Sequence, residues 1–159
     1  PCELTLRSTP NGPRLYRQPI REIAMLHKGQ DAWTNRVLKA NEVLPLEPSG
    51  RLFHIKAEVE IPEGARLTFN IRGIPVVLTP KSIESGTGPV SVMGRIKSVE
   101  ILVDRASIEA FVNEGEISST RFVLPNENGL SVKADGGSVT IQSLSVYTLN
   151  SAWKDGIGD

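Results

Sequence analysis

The sequence predicts an all-β fold, a sandwich of two antiparallel sheets. Its dominant signal is alternation of apolar and polar residues with a period of two, which is typical of strands with one buried and one solvated face. Clusters of Gly, Pro, Asn and Asp interrupt the alternation and predict turns. The 159 residues suffice for one domain with its own core. We expect a single domain over residues 1–159, with residues 1–50 less regular and residues 151–159 forming a tail.

The clearest strand signal lies in residues 52–61, LFHIKAEVEI. Alternation predicts that its core face consists of Phe53, Ile55, Ala57, Val59 and Ile61. The opposite face, predicted to be solvated, consists of His54, Lys56, Glu58 and Glu60. After a turn at 62–64 the pattern resumes in residues 67–72, LTFNIR, where Arg72 falls in the polar phase beside Gly73.

A hairpin is predicted for residues 99–113, turning at Arg105-Ala106. Its core face would consist of Val99, Ile101, Val103, Ile108, Ala110 and Val112. A turn over residues 113–116 and a strand from Ile117 to Leu124 follow. The loop over residues 125–129 then separates this strand from the next one.

The C-terminal part predicts a strand from Leu130 to Ala134, a tight hairpin over residues 135–138, and a last long strand from Val139 to Leu149. The apolar phase shifts within that last strand, which predicts a β-bulge near Gln142-Ser143. Near the N-terminus, residues 3–7 predict a strand, and the spacing of apolar residues 20–24 supports at most a turn or two of helix.

Composition argues against several classes of function. Eighteen basic residues balance eighteen acidic ones, whereas nucleic-acid-binding proteins usually carry a basic excess. The single cysteine, Cys2, and two histidines provide no zinc-ligand spacing, so we expect no metal and no cofactor. No apolar run approaches the ~20 residues that cross a bilayer, so we expect no membrane partner.

The predicted 99–113 hairpin contains the pattern Asp-Arg-x-Ser-x-Glu-x-Phe-x-Asn, at Asp104, Arg105, Ser107, Glu109, Phe111 and Asn113. This pattern resembles the most recognisable hairpin in the C-terminal sandwich of family 32 glycoside hydrolases, which include invertases, levanases, inulinases and fructan exohydrolases. The opening of that domain is similar to residues 3–7, 13–15, 18–20 and 22–23, and residues 120–122 match a later strand. Cys2 replaces the usual arginine, and residues 72–97 match poorly.

The resemblance implies an accessory module of a fructan- or sucrose-active hydrolase, whose catalysis belongs to a β-propeller in the parent chain. The propeller motifs Asn-Asp-Pro-Asn, Arg-Asp-Pro and Glu-Cys do not occur in this sequence. We therefore expect the chain alone to be no enzyme and to release no fructose from sucrose, levan or inulin. The expected partners are the propeller and a fructan or another fructose-containing carbohydrate, and we expect the parent enzyme to be extracellular or periplasmic.

Sugar sites combine planar hydrogen-bonding groups with an aromatic ring. The candidate ligand-binding residues are Arg72, Arg105, Glu109, Trp33 and Trp153. The alternatives are that Arg72 is a surface residue and that Trp33 plugs the end of the sandwich. Asp104 and Glu109 could be taken for a hydrolytic carboxylate pair, but the sequence implies no cleft around them.

Glu109 has a structural alternative, because a carboxylate on a partly apolar face needs a cationic partner. We expect that partner to be Arg121, through a one-residue bulge, or Arg105. Two hypotheses for the whole chain follow. The domain binds the terminal fructose of levan or inulin, or it is purely structural, packing on a propeller or mediating dimerisation without binding sugar.

Overall fold

The computed structural model describes residues 1–48, 50–86, 88–125 and 127–152. Within them it forms fourteen strands and a 3-10 helix at Arg21–Leu26. The strands are β1 Cys2–Thr9, β2 Gly12–Pro19, β3 His27–Leu38, β4 Val43–Leu46, β5 Phe53–Glu60, β6 Arg66–Ile71, β7 Ile74–Leu78, β8 Ser82–Glu84, β9 Pro89–Ser91, β10 Ser98–Val103, β11 Ser107–Val112, β12 Ile117–Phe122, β13 Leu130–Asp135 and β14 Val139–Leu149. No helix in these ranges is long and apolar enough to cross a membrane.

Two six-stranded sheets form the domain, which confirms the predicted antiparallel sandwich. Sheet I has the order β12-β11-β10-β5-β14-β3, and sheet II has the order β4-β13-β6-β7-β8-β9. Every strand pair in both sheets is antiparallel. The hairpin β1–β2 forms a separate two-stranded sheet.

The core consists of one apolar cluster between the two sheets. The inward phases predicted for β5 and for the β10–β11 hairpin are all buried, and so are Leu67, Phe69 and Ile71 of β6. The hairpin pairs in the predicted register, from Val99 opposite Val112 to Val103 opposite Ile108. The predicted bulge is also confirmed, because the β14–β5 register shifts between Ile141 and Ser143. Period-two alternation therefore identified the buried faces of these strands correctly.

The outer face of sheet I is less solvated than the alternation predicts. His54 is only 2% exposed, whereas its phase-mates Lys56, Glu58 and Glu60 are exposed as expected. Phe111 is also buried, although it lies on the outward phase of β11. Both side chains are covered by groups that are distant in sequence, so the prediction that His54 is a surface residue was wrong.

The segment 135–138 does not form the predicted hairpin. β13 pairs with β4 and β6 in sheet II, whereas β14 pairs with β3 and β5 in sheet I, so the chain crosses between the sheets here. Both neighbours of each strand are already taken, which leaves no edge for a β13–β14 ladder. Gly136 has φ +73°, and a Cβ there would collide with the Gly64 carbonyl oxygen, so the crossing requires glycine.

Candidate functional site

A recess of about 350 Å³ lies at one end of the sandwich and is lined by three arginines. Arg51 precedes β5, Arg72 lies in the β6–β7 turn, and Arg105 lies in the β10–β11 turn. The rest of the described wall comes from the loop after β12, where it includes Leu124 and Glu127. We refer to it as the arginine recess.

Arg72 is held in the recess by the geometry of its turn. Arg72 and Gly73 form the two-residue connection between β6 and β7, with φ of +52° and +85°. Two positive φ values are typical of a type I′ turn, whose backbone matches the twist of the flanking strands. The backbone N–H of Arg72 also donates to the Gly129 carbonyl, with an N···O distance of 2.9 Å.

The side chain of Arg72 is buried, with a relative exposure of 6%. Its Nε and Nη1 atoms have no hydrogen-bond partner among the described residues. The alternative that Arg72 is a surface residue was therefore wrong. A buried guanidinium without a partner is costly, which makes Arg72 the most unusual side chain of the recess.

Arg105 reaches the recess from an exposed turn. The Asp104 N–H donates to the Ser107 carbonyl, and the Arg105 N–H donates to Asp104 Oδ1 at 2.7 Å. These bonds fix the backbone of the turn without using the guanidinium. Asp104 itself is exposed at this turn and is not among the residues that line the recess.

The structure thus brings together two of the five predicted ligand-binding residues, Arg72 and Arg105, and adds Arg51 and Glu127, which sequence analysis missed. Arg51 comes near Arg105 because Phe53 pairs with Val103, a strand pairing that no local pattern reveals.

Trp33 and Glu109 lie elsewhere. Trp33, in the middle of β3 and opposite Leu144, is partly buried and packs against the core. It does not line the arginine recess. Trp153 lies outside the described residues.

Glu109 forms an ion pair, but with a partner that sequence analysis did not consider. Its Oε2 atom lies 3.4 Å from Nη2 of Arg17 on β2. Arg121 is opposite Ile108 in a register without the expected bulge, so the predicted pairings with Arg121 and Arg105 were wrong. Both members of the Glu109–Arg17 pair are partly exposed, and such pairs contribute about 1 kcal/mol or less.

The β1–β2 hairpin is attached to sheet I at the 113–116 turn. The Arg17 N–H donates to the Gly115 carbonyl at 3.0 Å, and Arg7 pairs with Glu114 at 2.6 Å. A Cβ on Gly115 would collide with the backbone of Arg17, so the close approach needs glycine. The guanidinium of Arg17 lies 5.9 Å from the ring centroid of Phe111, which helps to cover that ring.

The hairpin exposes an apolar surface, which we call the leucine face. Leu4, Leu6 and Leu15 are 60%, 71% and 58% exposed. Leu6 lies directly opposite Leu15, and Leu4 is two residues from Leu6 on the same strand. The alternation of side chains therefore places all three on one side of the hairpin.

A histidine cluster covers another part of sheet I. His54 Nε2 lies 2.6 Å from Glu100 Oε1, and its Nδ1 lies 3.0 Å from His27 Nε2. The His27 ring stacks on Tyr147 with centroids 3.8 Å apart. Among the described residues, no group of three or more His, Cys, Asp or Glu is arranged to hold a metal ion.

Two groups of this cluster have shifted pKa values. Burial, reinforced by the neighbouring His54 and Lys56, lowers the pKa of His27 below 6.5. Burial alone would raise the pKa of Glu100. The hydrogen bond with His54 and the charges of Lys56 and His54 outweigh burial, so the pKa of Glu100 lies below 4.5.

Comparison with known proteins identifies relatives over nearly the whole chain. Residues 78–148 match the family model described as "Glycosyl hydrolases family 32 C terminal". The levanase of Bacillus subtilis (strain 168) is 26% identical over 185 aligned positions, which cover 96% of this chain and 27% of the levanase. The levanase of Bacillus sp. (strain L7) is also 26% identical, over 98% of this chain and 20% of that protein. The chain thus spans about a quarter of these relatives.

Solved structures show the same fold. Fructan 1-exohydrolase IIa from Cichorium intybus superposes with a TM-score of 0.69 at 18% identity, covering 94% of this chain and 40% of that one. The β-fructofuranosidase of Aspergillus kawachii, complexed with glycerol, gives a TM-score of 0.72 at 18% identity, over 98% of this chain and 34% of that one.

The histidine cluster makes a prediction about pH. The pKa of His27 is about 6.5 in the unfolded chain and lower in the folded one. As the pH falls, the unfolded state therefore binds a proton at this residue before the folded state does. We therefore expect stability to fall between pH 7 and pH 5, with a slope from this one proton of at most about 1.4 kcal/mol per pH unit. Glu100 adds stability that is lost only at lower pH, as the pH falls below 4.5 and through its folded pKa.

Urea unfolding midpoints of wild type and His27→Gln, measured from pH 7.5 to pH 5, check this expectation. The substitution should flatten the pH dependence, whatever it does to stability at pH 7. Parallel curves for the two proteins would show that His27 does not contribute to acid sensitivity.

Proposed function

We propose, from the premise that this chain is a C-terminal domain of the glycosyl hydrolase family 32 type, that it is a non-catalytic accessory domain of a fructan- or sucrose-hydrolysing enzyme. Its role would be structural, with the β1–β2 hairpin packing against the catalytic part of the same enzyme. The observation that carries this proposal is the leucine face. Scattered apolar side chains are normal on a protein surface, but three adjacent exposed leucines on one side of a hairpin are typical of an interface.

The occupant we assign to the leucine face is the catalytic portion of the enzyme. The chain corresponds to 27% and 20% of the two levanases, so most of a relative's length lies outside the part that resembles this domain. Burial of one leucine contributes about 1.5–3 kcal/mol, so burial of the leucine face would contribute substantially to holding two domains together.

The first test replaces Leu6 and Leu15 with threonine, which keeps the strand propensity and removes the apolar surface. In the full-length enzyme that contains this domain, we expect the double variant to lose activity faster on heating. In the isolated domain, the same change should alter the free energy of unfolding by only about 0.5 kcal/mol, because both side chains are exposed there.

Val43→Thr is the matched control, because Val43 is 51% exposed on β4 of sheet II. This substitution should change neither the heat resistance of the full-length enzyme nor the free energy of unfolding of the isolated domain. Equal heat resistance of the double variant and wild type would contradict the docking proposal. A second contradicting result would be that the isolated wild-type domain is a dimer and the double variant is a monomer, since the leucine face would then serve self-association.

A second candidate function is binding of a fructan chain end in the arginine recess. The observation favouring it is that Arg72 and Arg105, selected from sequence as sugar-binding groups, line one recess with Glu127. A guanidinium can donate two parallel hydrogen bonds to vicinal hydroxyls. Because one furanose ring offers few such groups, binding would be weak, about −4 to −8 kcal/mol.

Calorimetric titration with levan and fructose tests this candidate. Wild type should bind with a dissociation constant between about 1 mM and 1 μM. Arg72→Gln should bind at least about tenfold more weakly, the equivalent of losing 1.4 kcal/mol. Arg66→Gln, an exposed residue at the other end of β6, should bind like wild type. The absence of heat with any fructan at millimolar concentration would exclude the candidate.

A further inference from the structure

We propose that the arginine recess is an oxyanion site, which takes a carboxylate or phosphate group in preference to a neutral sugar. This inference concerns the recess alone and is independent of the structural role assigned to the leucine face. It competes directly with fructan binding at the same place, and the experiment below separates the two.

The first argument is the charge of the recess. Among its described lining residues, Arg51, Arg72 and Arg105 contribute three guanidinium groups, and Glu127 contributes one carboxylate. No ion pair of these arginines occurs within the described parts of the chain. The chain as a whole is neutral, with eighteen basic and eighteen acidic residues, so this local excess of positive charge is not a general property of its surface.

The second argument is the state of Arg72. A guanidinium is charged at neutral pH and carries five N–H donors. Nε and Nη1 of Arg72 are buried and lack a partner among the described residues, while the β6–β7 turn fixes the backbone that bears them. A neutral hydroxyl group in the recess would not compensate the charge of this guanidinium. An oxyanion would, and charge-assisted hydrogen bonds to the lining guanidinium groups are roughly twice as strong as neutral ones.

The third argument is the character of the wall. The described lining contains no aromatic ring on which the C–H face of a sugar could rest, and its apolar members are Leu124 and Pro125. A volume of about 350 Å³ accommodates a small anionic group. Two sources of that group fit the chemistry, a free phosphate and the carboxylate of an Asp or Glu side chain from another polypeptide segment.

The experiment measures thermal unfolding of the chain in sodium phosphate, sodium acetate and sodium chloride of equal ionic strength, together with a fructose series. Wild type, Arg72→Gln, Arg105→Gln and the control Arg66→Gln are compared. Arg105 lies in an exposed turn whose backbone bonds do not involve its side chain, so Arg105→Gln keeps the test valid if Arg72→Gln folds poorly.

We expect an oxyanion to raise the melting temperature of wild type in a saturable way, and to do the same in Arg66→Gln. In Arg105→Gln the apparent affinity for the oxyanion should be at least about tenfold lower. Saturation with phosphate alone would identify a phosphate site, and saturation with acetate would identify a carboxylate site. Equal stabilisation of all four proteins would mean a general salt effect and would overturn the proposal. Stabilisation by fructose alone, lost in Arg105→Gln, would also overturn it and would favour the fructan candidate.

Discussion

The turn at residues 113–116 is the constraint on which the arrangement of the domain depends. Asn113, Glu114 and Gly115 have φ of 48°, 57° and 87°, three left-handed residues in succession. The Asn113 side chain accepts a hydrogen bond from the Lys97 N–H and donates one to the Arg95 carbonyl, which fixes the segment leading into β10. Glu114 and Gly115 hold the β1–β2 hairpin. One turn thus connects sheet I, the segment before β10 and the hairpin.

The attachment of the hairpin explains which part of sheet I is covered and which apolar side chains stay exposed. The backbone of Arg17 is bonded to the turn, and its side chain lies over Phe111 and beside Glu109. The leucine face lies on the same side of the hairpin as Arg17, which is opposite Leu4, and it stays exposed beside the contact with sheet I. The arginine recess is built from other turns, so the two surfaces are separate. The leucine face is marked by exposed apolar area, and the arginine recess is marked by an excess of positive charge.

Sequence analysis succeeded where information is local and failed where it is not. Alternation identified the buried faces of β5, β6, β10 and β11, and a phase shift identified the bulge in β14. The burial of His54 comes from groups on β3, β10 and β14, and Glu109 pairs with Arg17, 92 residues away. Turn residues at 135–138 predicted a reversal but carried no information on which sheet receives the next strand. Arg51 could not be assigned to the recess without the β5–β10 pairing.

Hydrogen exchange of wild type and Gly115→Ala tests most directly whether the 113–116 turn holds the hairpin. A side chain at Gly115 combines left-handed strain with a collision against the backbone of Arg17. Gly64→Ala has similar strain at φ +81° but meets nothing within 4 Å, so it is the matched control. The account predicts that only Gly115→Ala loses amide protection in β1 and β2, while β5 and β14 stay protected in both variants. Unchanged protection of the hairpin in Gly115→Ala would contradict it.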